Sequence, residues 1–596
     1  HYTGKKRSHI IEADFSLDGA NPRDLTPASA VGNAETPTFF VGGVQNYAWA
    51  PDSKEIAYVT NLDKVPAAST NNDVFTLRLD EPGAKAVKVS TSPGSDDEPE
   101  YSPDGKWLAF RSQAHVGFES DRFRLMLFDR EKKTARELTE RFDRWVDEFG
   151  WAANSRSIFV AGGDSGEEPV FVVDIARPMF RQITESGEYG SLAVSPLVSR
   201  GDGTVVATRM RTSGPSEVVA LLADQPVTIV DTMRLLPKPG EAAFPPVSGA
   251  SFTYVNQLQL SHMNEPLLSS LELPELESFW FDGAEVTKVE GFLIKPPGFD
   301  PAKKYPVKFL MHGGPQTAWG DGWSFRWNWE LMASSGYVVV GINRRGSTGY
   351  GQKFVDEVSG DWGGRAYEDL MKGLDYAEAH YPFIDKTREC ALGASYGGYM
   401  ANWVLTHTNR FKCIVTHDGL YDPVSAWGDT EEMWFNEWEF RRPGDFPKGW
   451  DGFATIGKPM SQNRDMGHPA GPTDRDETAM NGARSVIGDG HAAEPWRYAS
   501  LPADQDPFRK WSPMRFIENA KTPTLIIHSQ RDYRLDVSQG MAMFTALQRL
   551  NVPSRMMYFP DEGHWVLKPQ NSQMWNEVVG DWCDRWTKSG KYAEKQ

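Results

Sequence analysis

The chain has 596 residues, of which 40% are hydrophobic and 24% charged, and it contains 21 tryptophans. This length predicts two domains rather than a single core, and the composition excludes a disordered chain. The formal charge of -18 argues against a protein that binds nucleic acid or an anionic membrane surface, and it favours cationic or amine-bearing ligands.

Neither targeting segments nor cysteines identify the cellular compartment of this protein. No stretch approaches the run of about 18 apolar residues that a membrane span requires, so no membrane span is predicted. The first residue is His1 rather than Met, which is compatible with a leader removed upstream of it. Cys390, Cys413 and Cys583 are too few for a disulfide framework and lack the paired spacing of a zinc or redox site, so they leave the compartment open.

A repeat of about fifty residues marks the first part of the chain. Residues 47–52, 99–104 and 149–154 each end an apolar strand in a Pro-Asp or Asn turn that leads into a second strand, and a weaker copy lies around Asp202. An outer strand follows in three copies, at residues 75–80, 125–129 and 171–174. Each unit ends about ten residues later in a Leu-Thr-like closure, at residues 89–90, 138–139 and 183–184, so one unit holds four strands. Four strands in such a unit are typical of a β-propeller blade, and a β-sandwich with accidental similarity is the alternative.

The first unit is incomplete, because residues 10–14 supply an outer strand without the inner strands before it. About five units, counting this partial one, extend to about residue 275. Residues 1–275 are therefore predicted to form a β-propeller domain that is incomplete at its N-terminus, and we expect the chain to be a fragment.

Residues 276–596 are predicted to form an α/β domain, because short buried strands alternate with amphipathic helices. The predicted strands lie at residues 307–311, 337–340, 390–392, 413–415, 524–528 and 555–559. Helices are predicted at residues 367–380 and 538–550.

A candidate nucleophile follows one of these strands. Residues 393–397 (GASYG) place Ser395 between a strand and a helical run, which is the context of a nucleophile elbow. Flanking glycines allow the strained turn and a close approach of substrate to the backbone. A plain turn is the alternative interpretation of this short pattern.

A serine needs a base to take its proton and a third group to orient that base. Asp532 and His564 each follow a predicted strand, and with Ser395 they occur in the chain order of an α/β-hydrolase triad. Asp536 competes with Asp532 as the orienting carboxylate. Singly, such residues are more often turn, cap or surface groups, and the joint pattern carries the prediction.

The oxyanion formed in acyl transfer needs preorganised donors. The N–H of Tyr396 follows the nucleophile, and residues 312–315 (HGGP) follow an early strand, with Gly314 as the preferred second donor or else part of an ordinary turn. No nucleotide-binding loop, zinc helix or Cys/His cluster is present in the sequence, so no metal and no cofactor are predicted.

At these residues the chain resembles the prolyl oligopeptidase family of serine peptidases, which joins an N-terminal β-propeller to a C-terminal α/β-hydrolase domain. The resemblance covers nearly the whole chain and rests on the blade turns and on residues 312–315, 343–351, 393–399, 530–534 and 563–564. Residues 117–122 and 430–440 are most similar to dipeptidyl peptidases of type five, close to the acylaminoacyl peptidases. The sequence departs from the family pattern in two ways: the first blades are missing, and residues 441–506 form a long polar excursion. We assign no role to this excursion.

The resemblance implies an exopeptidase that releases dipeptides from short peptides with a free N-terminus, in relatives that are exported to the periplasm or secreted. A homodimer is left open as a further partner. The candidate carboxylates for the substrate ammonium are Glu119, Glu432 and Glu437. Three aromatic residues either wall the pocket for the residue before the cleaved bond or belong to the core: Trp434, Phe435 and Trp438.

Two other functions compete with this hypothesis. The same triad would serve an acylaminoacyl peptidase or an esterase. A propeller-based binding protein with a catalytically silent hydrolase half is the alternative from another class.

Overall fold

The computed structural model describes residues 6–13, 21–38, 46–194, 204–226, 251–252, 255–447, 450 and 493–588. The N-terminal strands form small, mainly antiparallel sheets, and the C-terminal strands form one large, mainly parallel sheet. This division confirms the predicted change from β to α/β structure along the chain.

Short strands make up the N-terminal part. They are β1 (Ile11–Glu12), β2 (Arg23–Asp24), β3 (Tyr47–Trp49), β4 (Glu55–Thr60), β5 (Asp73–Arg78), β6 (Val87–Lys88), β7 (Asp96–Tyr101), β8 (Trp107–Ser112), β9 (Arg124–Asp129), β10 (Thr134–Glu137), β11 (Glu148–Trp151), β12 (Ser157–Ala161), β13 (Val170–Asp174), β14 (Phe180–Gln182), β15 (Glu188–Val194), β16 (Thr204–Arg211), β17 (Gly214–Pro226), β18 (Ser251–Phe252) and β19 (Val255–Gln259). The sheets are β1-β2, β3-β4-β5-β6, β7-β8-β9-β10, β11-β12-β13-β14-β18 and β15-β16-β17-β19. First strands of successive sheets contact each other, β3 with β7, β7 with β11 and β11 with β15.

The turn after the first strand has the same chemistry in three of these sheets. Oδ1 of Asp52, Asp104 and Asn154 accepts the backbone N–H two residues later at 3.0, 3.1 and 2.7 Å. The next residue has a positive φ in each copy: Ser53 (58°), Gly105 (70°) and Ser155 (57°). These side-chain-stabilised turns are the physical basis of the sequence repeat. The weaker copy at Asp202 lies outside the described residues.

The large sheet has eight strands in the described part of the chain. They are β20 (Glu277–Asp282), β21 (Lys288–Ile294), β22 (Tyr305–Met311), β23 (Val338–Asn343), β24 (Ile384–Ala394), β25 (Cys413–His417), β26 (Thr524–Ser529) and β27 (Ser554–Phe559). Their order across the sheet is β20-β21-β23-β22-β24-β25-β26-β27. The β20-β21 and β21-β23 pairs are antiparallel and the remaining pairs are parallel. Strands β22, β23, β25 and β26 are buried on both faces, which explains their continuous apolar runs, whereas the edge strand β27 exposes Arg555 and Tyr558.

Helices cover both faces of this sheet. Within the described residues, the helices of this C-terminal part are α3 (Trp329–Ser334), α4 (Gln352–Asp356), α5 (Arg365–His380), α6 (Tyr396–His407), α7 (Pro423–Asp429), α8 (Met433–Glu439), α9 (Pro495–Tyr498), α10 (Pro507–Lys510), α11 (Val537–Arg549) and α12 (Pro569–Thr587). Two short helices precede the sheet in the chain, α1 (Ala28–Val31) and α2 (Glu265–Leu268). Leu370 of α5, Met400 of α6 and Leu547 of α11 join the core on one face. Met332 of α3 and Val579 of α12 join the core on the other. Among the described helices, none combines the length and hydropathy that crossing a bilayer requires.

One disulfide links neighbouring strands of the large sheet. Cys390 of β24 and Cys413 of β25 are partners in the strand register, with Cα atoms 4.8 Å apart, and their sulfurs are bonded. The sequence predicted no disulfide framework, and this single pair escaped prediction because a separation of 23 residues carries no signal until the register is known. Cys583 of α12 is a buried free thiol.

Candidate active site

Ser395 occupies the sharp turn from β24 to α6, with a φ of 58° and a ψ of -122°. Two glycines allow the chain to pack closely there. A Cβ on Gly393 would lie 2.1 Å from the Gly397 carbonyl oxygen, and a Cβ on Gly397 would lie 2.0 Å from the Met311 carbonyl oxygen. A side chain would therefore force this backbone apart, so the turn has the strained geometry of a nucleophile elbow.

Asp532 and His564 meet at the carboxyl ends of β26 and β27. The His564 Nδ1 atom lies 2.7 Å from Asp532 Oδ2. Asp532 Oδ1 accepts the N–H groups of Arg534 and Leu535 at 2.9 and 3.0 Å. Burial alone would raise the pKa of Asp532, but the charge and the hydrogen bond of His564 offset burial and leave this pKa below its ordinary value. The ionised carboxylate can therefore fix the tautomer of the imidazole.

Asp536, the competing orienting carboxylate, contacts a different group. Its Oδ1 atom accepts the Ser538 N–H at 2.9 Å, so Asp536 caps the N-terminus of α11. The partner of the His564 imidazole in the structure is thus Asp532.

Two buried groups behind Asp532 carry no signal in the sequence. Asp418 Oδ1 accepts the Ser529 N–H at 3.0 Å and lies 3.7 Å from His528 Nε2, which is itself 3.9 Å from Asp532 Oδ2. Burial, with a contribution from the Asp532 charge, raises the pKa of Asp418 to about 7. Ligand-type atoms of Asp418, His528 and Asp532 lie within 4.8 Å of one another. Because Asp532 already binds His564, we assign these groups no metal.

The loop after β22 packs directly against the nucleophile. A Cβ on Gly313 would lie 3.1 Å from the Ala394 carbonyl oxygen and 3.3 Å from Ser395 Cβ. Gly314 has a φ of 100° and lines the same pocket as Tyr396, the first residue of α6. This placement leaves the N–H groups of Tyr396 and Gly314 as the predicted oxyanion donors.

A pocket of about 500 Å³ contains the predicted reacting groups. Ser395 and His564 both line it. Within the described residues, no hydrogen bond joins Ser395 Oγ to the His564 imidazole. Catalytic hydrogen bonds are often long or poorly aligned before substrate binds and tighten in the complex.

Two carboxylates from distant parts of the chain line the same pocket. Glu119 lies between β8 and β9, and Glu432 directly precedes α8. Trp434 Nε1 donates to Glu119 Oε2 at 3.1 Å, and Arg534 forms an ion pair with Glu432. Burial raises the pKa of Glu119, and burial together with the Glu119 charge raises the pKa of Glu432 to about 8. One arginine thus faces two acids, which leaves room for a second cation.

An apolar wall lies beside these acids. Phe435 lines the pocket together with Trp362 and Leu420, neither of which the sequence identified. The rings of Trp362 and Phe435 are 5.8 Å apart between centroids. These side chains can accept an apolar substrate group next to Ser395.

The other predicted residues of α8 do not line the pocket. Trp427 Nε1 donates to Glu437 Oε1 at 3.3 Å. Trp438 stacks on Phe118 with ring centroids 4.5 Å apart. Trp434 contributes only through its hydrogen bond to Glu119. The structure therefore brings Glu119, Glu432 and Phe435 to the pocket and leaves Glu437 and Trp438 in the protein interior.

The predicted excursion at residues 441–506 is described in part. Residues 448–449 and 451–492 lie outside the described residues. The Tyr498 hydroxyl donates to Asp445 Oδ2 at 2.9 Å, so the two described ends of this segment contact each other.

Sequence comparisons identify relatives of this chain. A model described as the prolyl oligopeptidase family matches residues 323–462 and 487–590. The chain is 32% identical over 599 residues to the probable dipeptidyl-peptidase 5 of Emericella nidulans. The alignment covers 98% of this chain and 70% of that protein. It is also 27% identical over 602 residues to the dipeptidyl-peptidase 5 of Schizosaccharomyces pombe, in an alignment that covers 98% of this chain and 73% of that protein.

Solved structures share the fold. A puromycin hydrolase superposes with a TM-score of 0.61 at 18% identity, covering 90% of this chain and 69% of its own. A puromycin-hydrolyzing peptidase from Mycobacterium tuberculosis gives a TM-score of 0.60 at 16% identity, covering 92% of this chain and 70% of its own. The serine elbow at the end of a parallel strand marks the C-terminal part as an α/β-hydrolase. The identity shared with the Emericella nidulans protein over nearly the whole chain shows that this chain belongs to the prolyl oligopeptidase family of serine peptidases.

Proposed function

We propose that this chain is a dipeptidyl peptidase, a serine exopeptidase that releases dipeptides from the free N-terminus of short peptides. The observation that carries the proposal is the presence of Glu119 and Glu432 in the pocket that also contains Ser395 and His564. A substrate ammonium offers the missing cation and several N–H donors to these two acids. Anchoring the ammonium near the nucleophile selects a cleavage site close to the N-terminus. The fungal relatives are named dipeptidyl-peptidases, which is the same activity.

Acylation begins when Ser395 Oγ attacks the carbonyl carbon of the second residue and His564 Nε2 takes the hydroxyl proton. Asp532 stabilises the imidazolium through Nδ1, and the N–H groups of Tyr396 and Gly314 stabilise the oxyanion. Collapse of the tetrahedral intermediate breaks the peptide bond, and His564 passes its proton to the leaving amine. The dipeptide remains as an ester on Ser395.

Deacylation repeats these steps with water as the nucleophile. His564 takes a proton from the water, and the hydroxide attacks the ester carbonyl. When the second tetrahedral intermediate collapses, His564 returns the proton to Ser395 Oγ and the dipeptide leaves with a free carboxyl group.

The architecture that we propose for this enzyme is a propeller-type domain at residues 1–275 followed by the hydrolase domain at residues 276–596. Contacts between the first strands of successive small sheets support a shared axis around which the sheets are arranged as blades. Glu119 would then reach the pocket from the propeller side, so that the blades restrict entry to short peptides.

We also propose that the enzyme works in an oxidising compartment, in the periplasm or outside the cell. The Cys390–Cys413 disulfide supports this location, because such bonds persist where thiols are not kept reduced. Alkylation of the protein unfolded in denaturant without reductant, followed by mass analysis, is expected to find one alkylated cysteine, Cys583, which is buried in the native fold. Three alkylated cysteines would contradict the proposal.

Kinetics on dipeptide-chromophore substrates test the activity. The free substrate is expected to react faster than its N-acetylated form, because only the free form presents an ammonium. Glu432→Gln is expected to lower kcat/KM for the free substrate by about tenfold or more, the usual effect of removing one partner of a buried charge pair. Glu437→Gln, in the helix that Glu432 directly precedes, is the matched control and is expected to leave kcat/KM unchanged.

Preference for the acetylated substrate would favour an acylaminoacyl peptidase and contradict the dipeptidyl proposal. A folded protein that a fluorophosphonate fails to label at Ser395 would instead favour a binding role.

A further inference from the structure

An arginine without a protein partner among the described residues lines the pocket, next to the general base. Arg326 lies in the loop between β22 and α3 and is exposed to the pocket, together with Trp327 and Trp565. Its guanidinium carbon lies 5.3 Å from the centroid of the Trp565 ring. Within the described residues, this guanidinium has no hydrogen bond and no ion pair.

Arg534 provides a direct comparison, because it contacts the same ring. Its guanidinium carbon lies 5.6 Å from the Trp565 centroid. Arg534 is neutralised by an ion pair with Glu432 and lies 3.6 Å from Glu431. Two guanidinium groups thus pack on one indole, one committed to carboxylates of the protein and the other available to a ligand.

The location of Arg326 relates it to the leaving group. Trp565 directly follows His564, the residue that protonates the leaving amine in the proposed mechanism. His417 also lies near Arg326, and its carbonyl oxygen accepts the Ser395 N–H at 3.0 Å. Burial lowers the pKa of His417 to about 4, and the positive charge of Arg326 lowers this pKa further. His564 gives its proton to the leaving amine in the proposed mechanism, so the part of the substrate beyond the cleaved bond begins beside His564. Arg326 packs on the adjacent Trp565 ring and lines the same pocket.

The positive charge and the planar shape of the Arg326 guanidinium indicate a carboxylate as its ligand. A guanidinium presents a planar pair of N–H donors that matches a carboxylate, and the indole beneath it restrains its orientation. The chain as a whole carries a formal charge of -18, which repels anionic groups. An unpaired guanidinium in the pocket offsets that repulsion at one position.

We propose that Arg326 binds a substrate carboxylate on the leaving-group side of the cleaved bond, so that the enzyme prefers short peptides with a C-terminal carboxylate or an acidic side chain within reach. This inference rests on the proposed dipeptide release. It assigns opposite charges to the two ends of the bound peptide, with the ammonium at the Glu119 and Glu432 pair and the carboxylate at Arg326.

Paired peptides test the inference. The tripeptide Ala-Phe-Ala is compared with its C-terminal amide, and Ala-Phe-Asp-amide with Ala-Phe-Asn-amide, by measuring kcat/KM for release of Ala-Phe. The charged member of at least one pair is expected to react about tenfold faster, as one charge-assisted hydrogen bond predicts. The first pair reports a C-terminal carboxylate, and the second reports an acidic side chain.

Variants connect the preference to Arg326. Arg326→Gln is expected to remove the preference while leaving kcat/KM for the uncharged peptides unchanged, and Arg326→Lys is expected to keep part of it. Arg549→Gln is the matched control, because this exposed residue at the end of α11 gives the same change in net charge.

Equal rates within both pairs for the unchanged enzyme, or a preference that survives in Arg326→Gln, would overturn the inference alone. An equal loss on charged and uncharged peptides in Arg326→Gln would show a structural role and would also overturn it. If no peptide released Ala-Phe, the proposed function itself would fail, and the inference with it.

Discussion

The large sheet and the small sheets contribute different groups to one pocket. Ser395, Asp532 and His564 all follow parallel strands of the large sheet, whose carboxyl ends meet at one edge. Glu119 comes from a connection within a small sheet and approaches the same pocket from another part of the chain. In the proposed mechanism the loops of the large sheet supply bond cleavage, and Glu119 from the small sheets shares substrate selection with Glu432, so changes at the triad and at Glu119 should have separable effects.

The largest effect is expected from Asp532→Asn in the large sheet. The amide cannot hold His564 in the required tautomer or stabilise the imidazolium, so kcat should fall by about 10³ to 10⁴-fold. Because this step is common to all substrates, the loss should be equal for free and N-acetylated dipeptide-chromophores in steady-state assays. A loss confined to free substrates would contradict the assignment of bond cleavage to Asp532, because it would show that Asp532 acts in substrate selection.

A smaller and selective effect is expected from Glu119→Gln in the small sheets. Loss of one of two carboxylates should lower kcat/KM for free substrates by about tenfold, as for a buried charge contact, and leave N-acetylated substrates unaffected. Glu131→Gln changes the same charge at an exposed position nearby and should have no effect. Equal losses on both substrate types would mean that Glu119 serves the structure rather than selection.

The pH dependence sharpens the same comparison. Glu432, with its pKa raised to about 8, is largely protonated at lower pH and binds an ammonium weakly there. The ratio of kcat/KM for free to acetylated substrate cancels the ionisations that affect both substrates equally, and it should therefore rise as pH increases toward about 8. Glu119→Gln removes a neighbouring negative charge and should move this rise to lower pH. An unchanged profile would mean that the two acids do not interact.

The smallest effect is expected from Asp104→Ala in a repeat turn. Asp104 Oδ1 accepts Ser102 Oγ at 2.7 Å and the Lys106 N–H at 3.1 Å. Losing these contacts should lower the free energy of unfolding by about 1 kcal/mol in urea titrations, with kcat/KM unchanged. Asp104→Asn should retain stability, because Asn154 makes the same turn in another sheet. A catalytic defect in Asp104→Ala would contradict a purely structural role.

Much of this arrangement could be predicted from local patterns. The repeat turns, the parallel strands and the serine elbow each have a short sequence signature, and the predicted family is confirmed. The sequence did not predict strands β20 and β21, because they form the antiparallel end of the sheet and precede the strand-helix alternation on which the prediction relied.

Other features depend on geometry that the sequence does not encode locally. Glu432 and Phe435 line the pocket whereas Glu437 and Trp438 do not, because the rotation of α8 decides which side chains face it. Arg326 lies in a loop without periodicity, and its relation to the site appears only when that loop packs on the Trp565 ring.

Product analysis of a hexapeptide and its N-acetylated form tests the central claim most directly. Mass spectrometry of the free hexapeptide is expected to find the N-terminal dipeptide and the remaining tetrapeptide as the first products. The acetylated form should stay essentially intact, and Ser395→Ala should cleave neither. Release of single residues, internal cleavage, or equal cleavage of the acetylated peptide would contradict the account.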